Sequence, residues 1–260
     1  MLEVLSYGGG VQTAAMLALV DKGKLPKPDI IIHADTGSEL PETEENVRVW
    51  AQEIADRHDI PFVIVTATIN GVEDVKLHEY YESKSTLPMV QSRSCTDNFK
   101  IQPIRRYVKK YLGYDRAPRN KVIANMWLGI TTDEARRMGE SHVKYVQHWY
   151  PFIALNMSRK DCIKFLKDNG YPVPIKSGCF MCMYQSKRSW RRLANKHPEL
   201  FRIAVDMEEK AMTRTPDPLS VGLSPKGKLT QFWNGTTLEE WIEIEEPEGC
   251  DSMEHGGCFL

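Results

Sequence analysis

Three consecutive glycines at residues 8–10 lie directly between a short apolar segment and an apolar helical run. Residues 2–6 have the length and composition of a buried strand, and residues 14–20 those of a buried helix. Glycines permit positive φ angles and let backbone N–H groups approach a ligand, and the start of a helix adds further donors and a partial positive charge. The loop therefore predicts a phosphate or pyrophosphate site. The alternative is a tight strand-to-helix turn that binds no ligand.

Strands and helices alternate after this loop. Strands are predicted at residues 30–32, 61–65 and 122–128, and helices at residues 44–58, 101–112, 158–169, 186–196 and 198–212, with Ser158 as an N-cap. Residues 70–93 are polar and less regular, which indicates an active-site flap or a long insertion. The alternation predicts an α/β fold with a doubly wound, mainly parallel, Rossmann-like sheet and ligands at the carboxyl ends of its strands.

The chain has 260 residues, enough for one large domain with an appendage. We expect a nucleotide-binding α/β domain over residues 1–155, and a helical, cysteine-containing region with a tail over residues 156–260, packed on the first. The net charge of −1 indicates no particular partner. No apolar run reaches membrane-spanning length, and glycines interrupt the N-terminus too early for a signal peptide, so we expect no membrane association and a cytoplasmic location.

The six cysteines favour thiol or metal chemistry over a disulfide framework, because a chain this long without a secretory signal rarely depends on disulfides. They are Cys95, Cys162, Cys179, Cys182, Cys250 and Cys258. Cys179 and Cys182 form a Cys-x-x-Cys pair, which is typical of a redox dithiol, of half a zinc site or of cluster ligands. Cys162 lies among apolar neighbours in a predicted helix, so we expect it in the core.

Six segments occur in the order found in one known superfamily. They are residues 6–13 (Ser-Tyr-Gly-Gly-Gly-Val-Gln-Thr), 33–43 (His-Ala-Asp-Thr-Gly-Ser-Glu-Leu-Pro-Glu-Thr), 95–106 (with Lys100, Pro103 and Arg106), 129–137 (Gly-Ile-Thr-Thr-Asp-Glu-Ala-Arg-Arg), 150–153 (Tyr-Pro-Phe-Ile) and 178–182 (Gly-Cys-Phe-Met-Cys). They resemble the PP-loop ATP pyrophosphatase and PAPS reductase superfamily, whose loop is Ser-Gly-Gly-x-Asp-Ser. Two positions depart from that loop: Gly8 stands where serine is usual, and Gln12 where aspartate is usual.

The resemblance implies the residues of a nucleotide site. These are Ser6, Tyr7, Gly8, Gly9, Gly10, Gln12, Thr13, His33, Ala34, Asp35, Gly37, Glu39, Gly129, Asp133 and Arg136, with Asp35 also catalytic. The loop would hold phosphates, the end of the second strand would lie against adenine or ribose, and Gly129 would pack beneath the nucleotide. For Asp133 and Glu134 the alternative is a charged first helical turn. Because Gln12 lacks the charge of an aspartate, the loop predicts binding more firmly than turnover.

The resemblance also implies that Cys95, Cys179 and Cys182 hold a metal centre. Iron–sulfur APS reductases carry two adjacent cysteines at this point, whereas Thr96 follows Cys95 here. A 4Fe-4S cluster prefers four ligands, so three thiolates would leave one iron open to a hydrosulfide or a substrate atom. A fourth ligand from the tail, Cys250 or Cys258, is a competing possibility, and zinc is the simpler alternative.

Three functions follow from this resemblance. The first is an ATP pyrophosphatase that uses ATP with Mg²⁺ to activate a target for sulfur transfer, as in tRNA thiolases and DNA phosphorothioation proteins, with a sulfur donor such as a cysteine desulfurase. The second is a PAPS or APS reductase in which Cys258 attacks the sulfate sulfur and thioredoxin resolves the product. The third is a non-enzymatic module that binds zinc or a nucleotide. Homo-oligomerisation stays open.

Two basic stretches bear on the target. Arg105, Arg106, Lys109 and Lys110 lie on one predicted helix, and residues 187–192, which include Trp190, follow the Cys-x-x-Cys pair. A cationic helix with a tryptophan can dock DNA or RNA through phosphate contacts and stacking. The alternative is a solvated helix face.

Overall fold

The computed structural model describes residues 1–88, 93–214 and 237–243. In chain order the strands are β1 (Leu2–Ser6), β2 (Ile30–Ala34), β3 (Phe62–Val65), β4 (Ala67–Ile69), β5 (Val72–Val75), β6 (Ala124–Trp127) and β7 (Val146–Trp149). The α-helices are α1 (Val11–Asp21), α2 (Pro41–Glu45), α3 (Gln52–Arg57), α4 (Leu77–Ser83), α5 (Ser94–Thr96), α6 (Gln102–Tyr111), α7 (Pro151–Ala154), α8 (Arg159–Asp168), α9 (Lys187–Lys196), α10 (Pro198–Arg214) and α11 (Leu238–Glu243). Asn46–Ala51 and Asp97–Ile101 are π-helical, and Thr132–Arg137 is a 3-10 helix.

The chain forms two compact units that alternate along the sequence. The sheet unit comprises residues 1–35, 39–67 and 99–177. The cysteine unit comprises the described residues within 36–38, 68–98 and 178–260. The domain boundary at residue 155 stays a prediction. Within the described ranges, no helix is long and apolar enough to cross a membrane.

The sheet unit contains a five-stranded sheet in the order β3-β2-β1-β6-β7, and every neighbouring pair is parallel. The predicted α/β fold is therefore confirmed. The chain moves outward from β1 to β2 and β3 on one side, and β6 lies on the other side, so the strand order reverses beside β1. In open parallel sheets, the crevice at such a reversal, outside the carboxyl ends of the strands, is the usual ligand site.

Both faces of this sheet are covered by helices, because alternate residues of each buried strand point to opposite sides. On one face Leu5, Ile31 and Trp127 share a core with α1 and with Leu166 of α8. On the other face Val4 and Ile30 share a core with Val108 of α6. Every residue of α1 from Ala14 to Val20 is buried. A helix buried on all sides is held in a fixed position, and its N-terminus is the end of the glycine loop.

The structure is more regular than predicted between residues 70 and 88, whereas the active-site flap or long insertion stays a prediction. β4 and β5 form a two-stranded hairpin, and α4 follows directly. Asn70 and Gly71 connect the strands with φ values of 51° and 82°. Two positive φ values in a two-residue loop are typical of a type I′ turn, for which Asn-Gly is the preferred sequence. β7 and α11 are further elements that the sequence did not predict.

Candidate functional site

The glycine loop connects β1 to α1 at the centre of the parallel sheet. Gly10 is the N-cap residue of α1 with an extended backbone (φ −95°, ψ 177°), and no side chain caps the helix through it. Thr13 instead donates its hydroxyl to the carbonyl oxygen of Gly10, at 3.2 Å. The N–H groups of the first turn are thus left without a capping side chain from the N-cap position. An α-helix of this length that starts in this way favours an anion at its N-terminus.

Each glycine of the loop has a different environment. A Cβ atom on Gly9, whose φ is +71°, would lie 2.7 Å from Cγ2 of Thr43. A Cβ atom on Gly10 would lie 2.7 Å from Oγ of Ser177. A Cβ atom on Gly8 would meet no atom within 4 Å, and Gly8 is exposed. Backbone conformation and packing therefore require glycine at the second position. A side chain at the third position would displace the Ser177 hydroxyl, whereas the first position is open.

Gly129 brings the end of β6 against the same helix turn. A Cβ atom on Gly129 would lie 3.0 Å from Cβ of Gln12 and 3.3 Å from Cγ2 of Thr13. In the structure, Gly129 packs against the first turn of α1. Its predicted place beneath a nucleotide stays a prediction. This contact fixes the carboxyl end of β6 beside the loop.

Tyr7 and His33 connect the loop to the end of β2. The Tyr7 side chain is buried and donates its hydroxyl to Oδ1 of Asn46 at 2.6 Å. Its carbonyl oxygen lies 2.8 Å from Nδ1 of His33. Because a carbonyl only accepts, Nδ1 carries the proton. Burial lowers the pKa of His33, so its imidazole is neutral near pH 7, with Nε2 as an acceptor.

Two ion pairs balance the carboxylates that follow β2. Asp35 accepts from Nη2 of Arg48 at 2.7 Å. Oε1 of Glu39, whose side chain is 2% exposed, lies 3.2 Å from Nζ of Lys100. Burial, with the nearby charge of Asp35, raises the pKa of Glu44. The predicted catalytic carboxylate thus has a cationic partner, Arg48, that sequence reasoning missed.

Gln12 lies in a polar network that joins three separate segments. Its Nε2 donates to Oε2 of Glu134 at 3.3 Å, and its Oε1 accepts from Nη1 of Arg159 at 3.1 Å. Oε1 of Glu134 also pairs with Nη1 of Arg137 at 2.6 Å. Both ends of the amide are therefore used, and the orientation of Gln12 is fixed. Arg159 is a second residue that sequence reasoning missed, because 147 positions separate it from Gln12.

Asp133 supports the backbone beside this network. Its Oδ1 accepts from the N–H of Arg159 at 2.9 Å. Burial alone would raise the pKa of Asp133, but hydrogen bonds from Thr131 and from the Arg159 backbone outweigh it and lower the pKa. Arg136 is exposed on the same 3-10 helix. Asp133 thus positions the start of α8. This structural role resembles the alternative stated for Asp133 above, a charged first helical turn, more than it resembles contact with a nucleotide.

In the cysteine unit, the segment directly after Asp35 packs on the Cys-x-x-Cys loop. The hydroxyl oxygen of Thr36 lies 3.5 Å from Sγ of Cys179, and the carbonyl oxygen of Ser38 accepts from the N–H of Phe180 at 2.8 Å. Gly37 has a φ of +62°, and a Cβ atom there would lie 2.6 Å from Cγ of Lys76. The Asp-Thr-Gly segment therefore has a structural role beside Cys179.

The predicted metal ligands do not form a metal site in the described part of the chain. There, no group of three or more His, Cys, Asp or Glu residues could hold a metal ion. Cys95, Cys179 and Cys182 are each half-buried. Cys179 contacts Thr36. Burial, and to a smaller extent the nearby Cys95, raises the pKa of Tyr81, against the effect of its hydrogen bond with Ser94. Cys250 and Cys258 lie outside the described residues, so a fourth ligand from the tail stays a prediction.

Part of the predicted nucleic-acid surface is buried, whereas Arg106, Lys110, Arg188 and Arg192 are exposed. Trp190 is fully buried, so it cannot stack on a base. Lys187 is 6% exposed and lies 5.0 Å from the ring centre of Trp241. Arg191 donates from Nε to the carbonyl oxygen of Ile242 at 2.5 Å, and Arg105 is also buried. Cys162 is buried as predicted, and burial raises its pKa to about 12.

The family model for the phosphoadenosine phosphosulfate reductase domain matches residues 3–173. The chain belongs to this family. In this PAPS reductase domain, the matched span contains the glycine loop, the end of β2 and the Gln12 network, whereas Cys179 and Cys182 lie beyond it. The sequence prediction of the superfamily is confirmed.

Three relatives illustrate the similarity of this PAPS reductase domain to known proteins. An uncharacterized nin region protein of Escherichia phage lambda is 23% identical over 214 residues, which are 74% of this chain and 68% of that protein. The PAPS reductase of Candida auris, in a phosphate complex, is 17% identical with a TM-score of 0.46, over 67% of this chain and 76% of that one. The tRNA thiolase NcsA of Methanococcus maripaludis, with its 4Fe-4S cluster, is 14% identical with a TM-score of 0.43, over 94% of this chain and 80% of that one.

Proposed function

We propose that this chain is an ATP pyrophosphatase that activates a target oxygen for displacement by sulfur. The target oxygen would attack the α-phosphorus of ATP, the bond to the β-phosphate would break, and pyrophosphate would leave with the electron pair. The adenylated oxygen then becomes a good leaving group. The observation that carries this proposal is the glycine loop, which ends in the uncapped start of a buried helix at the reversal of strand order.

The residues around the loop suit a reaction in which negative charge develops on a leaving phosphate. The N–H groups at the start of α1 are preorganised donors, because the buried helix holds them in place before the charge develops. Neutral His33 offers an acceptor at Nε2 to a ribose or base N–H or O–H group. Asp35, paired with Arg48, provides a carboxylate at the end of β2 to orient the attacking oxygen.

The sulfur-transfer half of the proposal concerns the cysteine unit. Thr36 can donate its hydroxyl to Cys179, and a hydrogen bond to sulfur favours the thiolate that would attack or carry sulfur. Among the described residues no group of three or more His, Cys, Asp or Glu could hold a metal ion, so the proposed sulfur transfer concerns the Cys179 thiol alone. With Trp190 and Lys187 in the core, the class of target stays open between nucleic acid and other oxygen nucleophiles.

Reduction of PAPS to sulfite is the second candidate, and the match to the PAPS reductase domain favours it. Its predicted nucleophile, Cys258, lies outside the described residues. Both functions would use the glycine loop, to bind ATP in one case and PAPS in the other. The reaction products distinguish the two functions. ATP pyrophosphatase activity releases AMP and pyrophosphate, whereas PAPS reduction releases sulfite.

We expect the purified chain to release pyrophosphate from ATP, and Asp35→Asn to lower this rate by about 100-fold, as is common when a residue that handles the attacking group is lost. Pyrophosphate and sulfite should be measured in parallel reactions with ATP and with PAPS. Asp168→Asn is the matched control, because that carboxylate is an exposed helix residue paired with Lys164. Sulfite from PAPS without pyrophosphate from ATP would replace this proposal by the second candidate.

The sequence prediction of a three-cysteine metal centre has its own test. We expect Cys95→Ser to leave the visible spectrum and the zinc content of anaerobically reconstituted protein unchanged, because the described cysteines form no common site. Absorbance spectra and metal analysis of the two proteins measure this. A cluster spectrum in the wild type that disappears in Cys95→Ser would instead support the three-thiol centre.

A further inference from the structure

The amino ends of β6 and β7 lie side by side, at the edge of the sheet opposite the glycine loop. Parallel strands all begin at one edge, and the loop follows the carboxyl end of β1. The N–H of Ile123 donates to the carbonyl oxygen of Tyr145 at 2.8 Å, which joins the two residues that precede these strands. Leu112, directly after α6, packs on the core that contains Ile123 and Tyr145. The end of α6 therefore lies at the same edge.

This edge concentrates positive charge in a chain whose net charge is −1. Residues 105–122 contain seven Lys and Arg residues and one acidic residue, Asp115, and residues 141–149 contain Lys144 and no acidic residue. Six of these cations are exposed, namely Arg106, Lys110, Arg116, Arg119, Lys121 and Lys144. We call these six residues the amino-edge basic surface.

The fold does not use most of these charges. In the described part of the chain, none of the six side chains forms an ion pair or a hydrogen bond with the protein. Lys110 lies in the last turn of α6, where a cation stabilises the helix C-terminus. The four members at residues 116–144 lie outside helices, so this explanation does not extend to them. Neighbouring like charges repel one another, and a polyanion that binds them removes this repulsion.

An aromatic ring is exposed beside these cations. Tyr111, the last residue of α6, is 51% exposed. Its ring stacks on the ring of Tyr107, with centroids 5.9 Å apart and 21° between the planes. Tyr107 packs against the core and so supports the exposed ring. A supported ring of this kind can stack on a nucleic-acid base, and such stacking tolerates any sequence because every base has a π-face.

The same features favour nucleic acid over a lipid surface. Helices that lie on membranes insert an apolar face into the lipid. The apolar side of α6, which carries Ile104 and Val108, is instead buried in the core of the sheet unit. Cations without protein partners, next to an exposed ring, are the combination by which proteins follow the backbone of a single strand and stack its bases.

We propose that the amino-edge basic surface, together with Tyr111, docks single-stranded nucleic acid through its phosphates and the face of a base. This proposal goes beyond the proposed function and does not depend on it. The surface and the glycine loop lie at opposite ends of the strands, and the four residues of β6 alone span roughly 13 Å. In an enzyme that activates a nucleic-acid oxygen, the surface would anchor the strand while the reactive group extends to the loop.

The test is fluorescence anisotropy of the full chain with a labelled oligothymidylate of about 16 nucleotides, at several salt concentrations. We expect binding that weakens with salt, because each phosphate contact contributes about −0.7 to the slope of log affinity against log salt. Arg116→Ala combined with Lys121→Ala should raise the Kd by about tenfold and reduce this slope by about 1. Lys160→Ala combined with Lys167→Ala is the matched control, because it removes two exposed cations from α8, on the other face of the sheet.

Tyr111 gives a second signature that charge alone cannot produce. We expect Tyr111→Ala to raise the Kd for the oligothymidylate by at least about fivefold, and Tyr111→Phe to keep the wild-type Kd, because the ring is what stacks. Binding of a duplex of the same length should not depend on Tyr111, because its bases are already stacked on one another. Thermal unfolding shows whether each variant is folded, and the exposed Arg116 and Lys121 pair keeps the test decisive if Tyr111→Ala is destabilised.

Several results would overturn the proposal. One is an equal rise in Kd for the α8 control, because binding would then follow net charge and not this surface. Another is a Tyr111→Ala protein that binds the single strand as tightly as the wild type. A third is binding to phosphatidylserine vesicles without binding to the oligothymidylate. Oligonucleotide binding without release of pyrophosphate from ATP removes the proposed function and leaves this proposal standing, and the reverse result removes this proposal alone.

Discussion

Gly9→Ala is expected to destabilise the protein by about 2–5 kcal/mol and to abolish nucleotide binding. Gly9 has a φ of +71°, and a Cβ atom there would lie 2.7 Å from Cγ2 of Thr43 and 3.1 Å from Cγ2 of Val47. A left-handed backbone costs about 1–2 kcal/mol for a residue with a Cβ atom. Forcing a methyl group into a packed contact costs about 1–3 kcal/mol more. Urea unfolding and ATP binding measure the two effects.

Gly8→Ala is the matched control for this stability effect. A Cβ atom there meets nothing within 4 Å, and Gly8 is not among the residues with positive φ. We expect its free energy of unfolding to change by less than about 1 kcal/mol, as at ordinary surface positions. Equal losses at the two positions would mean that the close approach of Thr43 to Gly9 does not determine the loop. A large loss of stability at Gly9 alone would support the conclusion that this close approach determines the loop.

Asp21→Asn is expected to lower the free energy of unfolding by about 2–4 kcal/mol at pH 7. Asp21 is the last residue of α1, and its carboxylate is 7% exposed. Oδ1 accepts from Nε2 of His58 at 2.6 Å and from Nη1 of Arg57 at 3.1 Å, and Oδ2 accepts from the hydroxyl of Tyr171. An amide at this position carries no charge and turns one acceptor into a donor, so buried partners lose their hydrogen bonds.

The same cluster predicts a pH dependence. Burial alone would raise the pKa of Asp21, but hydrogen bonds from Tyr171 and His58, together with Arg57, outweigh it and lower the pKa from 3.8. A lowered pKa in the folded state means that the stabilisation is complete above 3.8 and is lost as the pH falls through the folded pKa. The difference in stability between wild type and Asp21→Asn should therefore be constant down to about pH 4 and shrink below it.

Urea unfolding at several pH values measures this difference. Asp56→Asn is the control, because Asp56 is an exposed residue whose carboxylate accepts a hydrogen bond from Gln52. We expect the control to change stability by less than about 0.5 kcal/mol. A stability difference for Asp21→Asn that grows as the pH falls would contradict the charge assignment.

The parts of the fold that the sequence predicted are those encoded locally. The apolar strands, the glycine loop and the helix starting after Ser158 each depend on residues within a few positions of one another. The Ser158–Asp161 capping box is a good example, because both of its hydrogen bonds lie within one helix turn. β7 was not predicted because its four residues, Val-Gln-His-Trp, show only a short alternation of apolar and polar residues.

The parts of the site that the sequence could not predict depend on tertiary contacts. Arg159 reaches Gln12 only because α1 and α8 pack side by side on one face of the sheet. Trp190 looks like a surface residue in a basic stretch, yet helix packing buries it and brings it against Phe201. The family resemblance likewise implied a common centre for Cys95 and Cys179, and the described residues contain no group that could hold a metal ion.

The helical segment from Pro41 to Arg57 has a consequence for tolerance to deletions. Its middle, Asn46–Ala51, is π-helical, so it contains more residues per turn than the α-helical parts on either side. Removing one residue there would restore regular α-helix and leave the two ends in nearly the same angular phase, because the wider π-helical turn rotates the chain less per residue. Asn46 contacts Tyr7 near the glycine loop, and Arg57 contacts Asp21 at the far end of α1. A one-residue deletion within the π-helical middle should therefore keep Arg57 facing Asp21, whereas the same deletion between Gln52 and Arg57 would rotate Arg57 by about 100° away from it.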